Sequence, residues 1–236
     1  MPPGGQPRYL LSLLGRPGSG KSSAGEAFSG MNNVRLISVS DLLRNAAGND
    51  LEVADRMDRG AFVSTETVTR ILEAEINGIE TPLVIVDGFP RRKDQVGPLY
   101  SNARAAGREF SLLIVLALPR ALAEKRLTGR RVCSECGRVY NIHYDPPPDE
   151  VCRDCGGRLE RREDDRPEVV RSRQERFDRT TRSVIRWFSS HRPQEIRCLR
   201  ASGSPEEVRR RLVGVVRSRH PAIVPEHGTN AVQIDT

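Results

Sequence analysis

Gly15-Arg16-Pro17-Gly18-Ser19-Gly20-Lys21-Ser22 follows an apolar run, Tyr9 to Leu14, and opens a helix-like stretch. The spacing is GxxxxGK[ST]. Its glycines let backbone N–H groups converge on a phosphate, and the helix N-terminus behind them favours negative charge. Lys21 has the length to reach the terminal phosphates of a nucleotide. Composition sharpens the reading: the chain has three lysines (Lys21, Lys93 and Lys125) among its 38 basic residues. A chain that otherwise uses arginine has kept lysine here.

Outward from this loop, strand and helix candidates alternate. Strands are expected at Tyr9–Leu14, Val34–Ser38, Leu83–Val86, Leu112–Leu118 and Glu195–Leu199. Near-continuous apolar runs such as Leu83-Val84-Ile85-Val86 suit strands buried on both faces. Helices are expected at Lys21–Ser29, Leu51–Arg59, Ser64–Asn77, Arg92–Ala106, Pro119–Thr128, Pro167–His191 and Pro205–Arg219. Pro167 and Pro205 sit where a helix start tolerates proline. The fold class is α/β: a five-stranded parallel sheet with helices on both faces. The segment from His220 onward shows no amphipathic period and is expected to be a flexible tail.

The 236 residues carry a net charge of +7 and a mean hydropathy of −0.50. A basic chain of pI about 9.6 suits either nucleic acid or a polyanionic nucleotide. No apolar run approaches the roughly 20 residues of a membrane span. The start, MPPGGQPR, lacks the apolar stretch of a secretory signal. A cytoplasmic protein is expected, without membrane contact.

Four of the five cysteines read Cys133-x2-Cys136-x15-Cys152-x2-Cys155. Two CxxC pairs at this separation match a tetrahedral structural zinc site, because each tight knuckle supplies two thiolates. All four ligands being protein thiolates, no position stays open for catalysis. Cys198 lies alone in a short apolar strand candidate and is expected to be buried. The cysteine module falls between Arg130-Arg131 and Arg161-Arg162. A unit folded around its own metal can swing as a rigid body, which suits a lid over the phosphate loop.

Several strings, taken together in order, resemble the adenylate kinase family: Gly15 to Ser23, Ile37-Ser38-Val39-Ser40-Asp41-Leu42-Leu43-Arg44, Asp87-Gly88-Phe89-Pro90-Arg91 with Gln95, Arg126-Leu127-Thr128-Gly129-Arg130-Arg131, Gly137-Arg138-Val139-Tyr140, and Arg162-Glu163-Asp164-Asp165 with Arg173. The resemblance runs through about residue 215, and the cysteine pattern is similar to the zinc-bearing lid of many bacterial members. It implies a P-loop NTPase fold with inserted acceptor-binding and zinc-lid domains. It implies reversible transfer of the γ-phosphoryl group of MgATP to AMP, giving two ADP. ATP contacts are then expected from Gly15, Gly18, Ser19, Gly20, Lys21, Ser22, Ser23, Arg126 and Arg130, with Arg126 against the donor adenine. AMP contacts are expected from Val39, Arg44, Gly88, Arg91, Gln95, Arg162 and Arg173. Lys21, Arg91, Arg130, Arg162 and Arg173 are the expected catalytic set around the phosphates. Asp87 is expected to hold waters on Mg²⁺, and Cys133, Cys136, Cys152 and Cys155 to hold Zn²⁺.

The implied division is a core of residues 1–38, 82–129 and 168–218, an acceptor domain of 39–81, a zinc lid of 130–167 and a tail of 219–236. The partners are ATP or ADP and AMP, for a monomer. The chain departs from the family's usual strings at Val39, Ser40, Phe62-Val63-Ser64 and Ser22-Ser23. Val39 and Ser40 keep open another acceptor, UMP or CMP, and a nucleotide-binding homologue with a regulatory role. Gln95 favours an adenine edge. A nucleic-acid-binding ATPase is the remaining alternative. Asp145, Asp149, Glu150 and Asp154 make the cysteine module a poor electrostatic match for it.

Overall fold

The computed structural model describes residues 6–48, 50–58, 63–147 and 150–225. Phe62, Arg59, Pro148, Asp149 and the end of the expected tail, 226–236, lie outside the described residues.

Five parallel strands form the main sheet: β1 (Tyr9–Gly15), β2 (Val34–Ser38), β3 (Leu83–Asp87), β4 (Glu109–Ala117) and, after a second small sheet, β8 (Ile196–Arg200). Their spatial order is β2-β3-β1-β4-β8. The strand runs are apolar almost throughout because both faces are covered. Odd and even positions feed two separate cores. Leu10, Leu14, Val84, Val86, Leu113 and Val115 pack on one side. Leu11, Leu13, Leu83, Ile85, Leu112, Ile114 and Leu116 pack on the other.

The first core is closed by α2 (Val39–Ala47), α3 (Leu51–Asp58), α4 (Thr65–Asn77), α5 (Val96–Ala105) and α8 (Thr181–His191). The second is closed by α1 (Lys21–Gly25), α6 (Arg120–Thr128) and α9 (Pro205–Arg219). α7 (Pro167–Arg179) precedes α8. A three-stranded antiparallel sheet of β5 (Arg130–Cys133), β6 (Val139–Asn141) and β7 (Leu159–Glu160), in the order β6-β5-β7, carries the cysteines.

Register brings the site together. Leu13 and Ser38 both pair with Asp87, so the ends of β1, β2 and β3 meet at one edge of the sheet. β1 is also the strand where the order turns back, since β2 and β3 lie on one side of it and β4 on the other. Ligands of open α/β sheets bind outside the strand C-termini at such a switch point.

The structure corrects several expected boundaries. α1 stops at Gly25 and tightens to a 3₁₀ turn through Phe28. The single helix expected over Pro167–His191 is two helices, broken at Thr180. Helix α2 was not among the expected elements. Cys198 is exposed rather than buried, because β8 is the sheet's edge. The tail expected to be flexible from His220 begins packed: His220 and Val224 are buried, with Val224 in the second core. No helix among the described residues is long and apolar enough to cross a membrane.

Candidate active site at the sheet's C-terminal edge

The loop after β1 turns on glycine. Gly18 takes φ +85°, a left-handed conformation that disfavours a side chain, and a Cβ there would stand 2.7 Å from the Ala123 carbonyl oxygen of α6. Ser19 is fully buried beneath the loop. Gly20 caps α1, so Gly15 to Ser23 wrap around the N-terminus of that helix. Lys21 Nζ donates to the Gly15 carbonyl at 2.9 Å, folding the ammonium back over the loop.

Asp87 ends β3 and is 8% exposed, and its Oδ1 has no hydrogen-bond partner. Burial pushes its carboxyl above the usual carboxylate range, while Lys21 and Arg91 pull it back down. Burial lowers Lys21; Asp87 opposes this, and Arg91 and Arg173 add to it. Burial also lowers Arg91, against Asp87 and with Arg173 and Arg176. One carboxylate thus faces several cations in a desolvated pocket. That excess of positive charge could hold an anion.

The turn after β3 aims Arg91. Gly88 has φ +90°, and a Cβ there would stand 2.7 Å from the Arg91 guanidinium. Arg91 Nε donates to the Gly88 carbonyl at 2.8 Å, and its terminal nitrogen donates to Ser40 Oγ at 3.1 Å. Gln95 is 3% exposed, and its Oε1 accepts from the Arg91 and Arg92 backbone N–H groups at 2.7 and 3.2 Å. The oxygen is therefore engaged by the chain itself, and the amide has its N–H groups left to offer a base.

Ser38 caps α2 by accepting from the Asp41 N–H, and Arg44, one turn on, pairs with Asp41 on the exposed face. Val39 is 4% exposed and belongs to the first core, so its side chain packs inward. Neither Ser40 nor the occupied oxygen of Gln95 was legible from the strings alone, because both depend on where Arg91 lies.

Beyond the small sheet, Asp165 is fully buried and takes Arg130 in a two-point contact at 2.7 and 2.7 Å. Arg173 donates to the Asp164 carbonyl at 3.0 Å and lies 4.0 Å from Asp165. Asp164 and Asp165 thus both pair with arginines. Burial and the neighbouring Arg130 lower Arg162, with Asp165 opposing and Arg44 adding to the repulsion. Arg162 thus shares the field of Arg44, whereas Arg173 shares that of Lys21. Arg126 donates to the Ala201 and Gly203 carbonyls at 3.0 and 2.9 Å, which sets its planar head beside the loop after β8.

The sulfur atoms of Cys133, Cys136, Cys152 and Cys155 all lie within 4.8 Å of one another. Four thiolates around a metal at about 2.3 Å would stand roughly 3.8 Å apart. The nearest pairs here, Cys133–Cys155 and Cys136–Cys152, are at 3.5 Å, so the cluster could hold a metal ion. The buried Tyr140 hydroxyl lies 3.4 Å from Cys152 Sγ and, with turn amides, draws that thiol down to about 6. Against a Gly157 amide that lowers it, contact with Cys133 and Cys136 pushes the Cys155 thiol the other way, up to about 12.

The chain is also similar to known proteins. The sequence model of the family described as adenylate kinase matches residues 13–192. The chain is 32% identical over 214 residues to the adenylate kinase of Geobacter sulfurreducens, covering 88% of this chain and 98% of that one. It is 36% identical over 185 residues to that of Pseudothermotoga lettingae, covering 76% and 85%. It is 32% identical over 213 residues to that of Acidothermus cellulolyticus, covering 88% and 97%. With the phosphate loop, the Asp87–Arg91 turn and the flanking arginines in one site, the chain belongs to the adenylate kinase family.

Proposed function

We propose that this chain is a nucleoside monophosphate kinase that moves the γ-phosphoryl group of ATP reversibly to AMP, giving two ADP. The observation that carries the reading is the convergence of Lys21 and Arg91 on the buried Asp87 at the end of β3, with Arg173 in the field of both cations. Phosphoryl transfer asks for positioning and charge neutralisation more than for covalent chemistry.

In this reading the amides of Gly15 to Ser23 and the Lys21 ammonium hold the donor phosphates, and Arg126 lies against the donor base. Arg44 and Arg91 hold the acceptor phosphate, with Gly88 giving Arg91 its room. Val39 belongs to the acceptor segment as backbone and support, and Gln95 donates from its amide to the acceptor base. Arg130, Arg162 and Arg173 close on the phosphates from the far side, with Arg162 and Arg173 reaching both nucleotides. Closure excludes water, which would otherwise compete with AMP for the phosphoryl group. Mg²⁺ bound with ATP would supply charge neutralisation to the phosphates. The unpartnered buried oxygen of Asp87 fits waters of that ion, with the Ser22 hydroxyl beside it.

Residues 1–38, 82–129 and 168–218 serve as the core, 39–81 as the acceptor domain and 130–167 as the lid. The four thiolates hold structural Zn²⁺, the ion whose tetrahedral preference they match. We read the protein as a cytoplasmic monomer. A coupled assay with MgATP against AMP, CMP, UMP and GMP tests the reading. AMP is expected to give the highest kcat/KM; a higher value for CMP or UMP would assign another acceptor.

A further inference from the structure

Gln174 is a polar side chain with no exposure, on the face of α7 turned to the phosphate loop. Both ends of its amide are engaged by consecutive loop residues. Its Oε1 accepts from Arg16 at 2.7 Å, and its Nε2 donates to the Pro17 carbonyl at 2.9 Å. Arg16 is fixed at two further points: its second terminal nitrogen lies 3.1 Å from Asp178, and its guanidinium lies 5.0 Å from the Phe177 ring centroid. The Arg16 side chain is only 12% exposed. On its other flank the loop rests against α6 through Gly18. The segment that would cradle the donor phosphates is thus clamped between two helices. The neighbour of Gln174 on α7 is Arg173, whose guanidinium stands in the field of Lys21.

We propose that Gln174, acting through Arg16 and Pro17, is a positioning residue for phosphoryl transfer: it fixes the phosphate loop to α7 so that the loop amides, Lys21 and Arg173 meet one triphosphate in register. A buried amide with both ends satisfied is a rigid joint, whereas an apolar side chain of the same size would permit sliding. The proposal rests on the loop being the donor site.

The test compares Gln174→Leu, Arg16→Met and the double variant, reading MgATP affinity by calorimetry and KM for AMP and kcat in the coupled assay. Gln174→Leu is expected to weaken MgATP binding about tenfold and to lower kcat by a similar factor, because small misplacements of reacting groups are costly. KM for AMP should stay within about twofold, since Arg44 and Arg91 sit on other elements and Arg173 keeps its own anchor on the Asp164 carbonyl, and the double variant should be no worse than the more damaging single one. Loss of ATP and AMP affinity together, or multiplied effects in the double variant, would overturn the proposal, because a merely structural role spreads to both substrates. Should Gln174→Leu not fold, Arg16→Met decides: unchanged MgATP affinity there overturns the joint. Weakened MgATP binding in the variants of a wild type that transfers no phosphoryl group supports the joint and sinks the kinase reading. An active wild type with an unchanged Gln174→Leu sinks the joint alone.

Discussion

At Lys21 two demands oppose each other: burial favours a neutral amine, and the Asp87 carboxylate holds the charge. Arriving phosphate would settle the balance toward the cation, and the charge would count most as negative charge shifts between phosphate oxygens. Lys21→Met should therefore keep the fold and lower kcat by roughly 10²–10³, the effect of about 2.7–4 kcal/mol lost at one transition-state contact. Turnover together with circular dichroism checks this; near wild-type turnover would misplace the site. Arg91→Ala should harm both KM for AMP and kcat, since its head is aimed by Gly88 and Ser40 at the acceptor side. Arg104, exposed at the end of α5, is the control and should change neither. The residues of these contiguous strings stand out in the sequence because a phosphate site of the kind proposed would be assembled from loop amides and near neighbours in sequence. Gln174 and Arg16 do not, because 158 positions separate them and only the packing of α7 against the loop joins them.

At the scale of elements, α2 shows how a string can hide a helix. Val39-Ser40-Asp41-Leu42-Leu43-Arg44 was read for its chemistry, yet Leu42, Leu43, Ala46 and Ala47 pack on the first core at helical spacing behind the Ser38 cap. Ser38→Ala should cost about 1 kcal/mol in chemical denaturation by leaving the Asp41 N–H without its acceptor. The break at Thr180 was equally hidden, because neither Gly nor Pro marks it; Thr180 is stretched to φ −111° and its hydroxyl turns back to the Arg176 carbonyl. The end of α9 is held by a buried histidine. His220 lies 2.9 Å from Ser111 Oγ and 4.3 Å from the Tyr9 ring, with Arg219 also on Ser111. Burial, and then the Arg219 charge, hold its pKa at about 4, below its ordinary 6.5. Above 6.5 the imidazole is neutral in folded and unfolded chains, and its contribution is fully present. As pH falls from about 6.5 toward 4 the unfolded chain takes up the proton first, and stability declines. His220→Gln should flatten that part of the Tm-against-pH curve relative to wild type; parallel curves would remove His220 from the acid response.

Across the whole molecule, stability is unevenly distributed. The parallel sheet is buried between two cores that draw on most of its strand residues. Among the described residues the three-stranded sheet and its loops have a buried cluster of just Cys133, Tyr140 and Cys152, with Leu159 beside them. So small an apolar cluster offsets little chain entropy, and such units take most of their folding free energy from a metal. In the parallel sheet, apolar runs made the strands legible; in the small sheet, the signals were cysteine spacing and short strings such as Gly137 to Tyr140, and its strands went unread because they are two to four residues long. Removal of bound metal by a chelator should accordingly open residues 130–160 to amide hydrogen exchange while β1 and β4 stay protected. Because Arg130 is anchored on Asp165 at the edge of this unit, and Arg162 lies beside it, kcat should fall well before the main sheet melts. Exchange mass spectrometry and activity followed on the same chelated sample test both halves. If the stripped, fully reduced protein kept its protection across 130–160, the small sheet would have to be standing on contacts other than its four sulfurs. If activity and the protection of β1 fell together, the lid and the sheet would be one cooperative unit, not a metal-held piece hinged on a self-sufficient core.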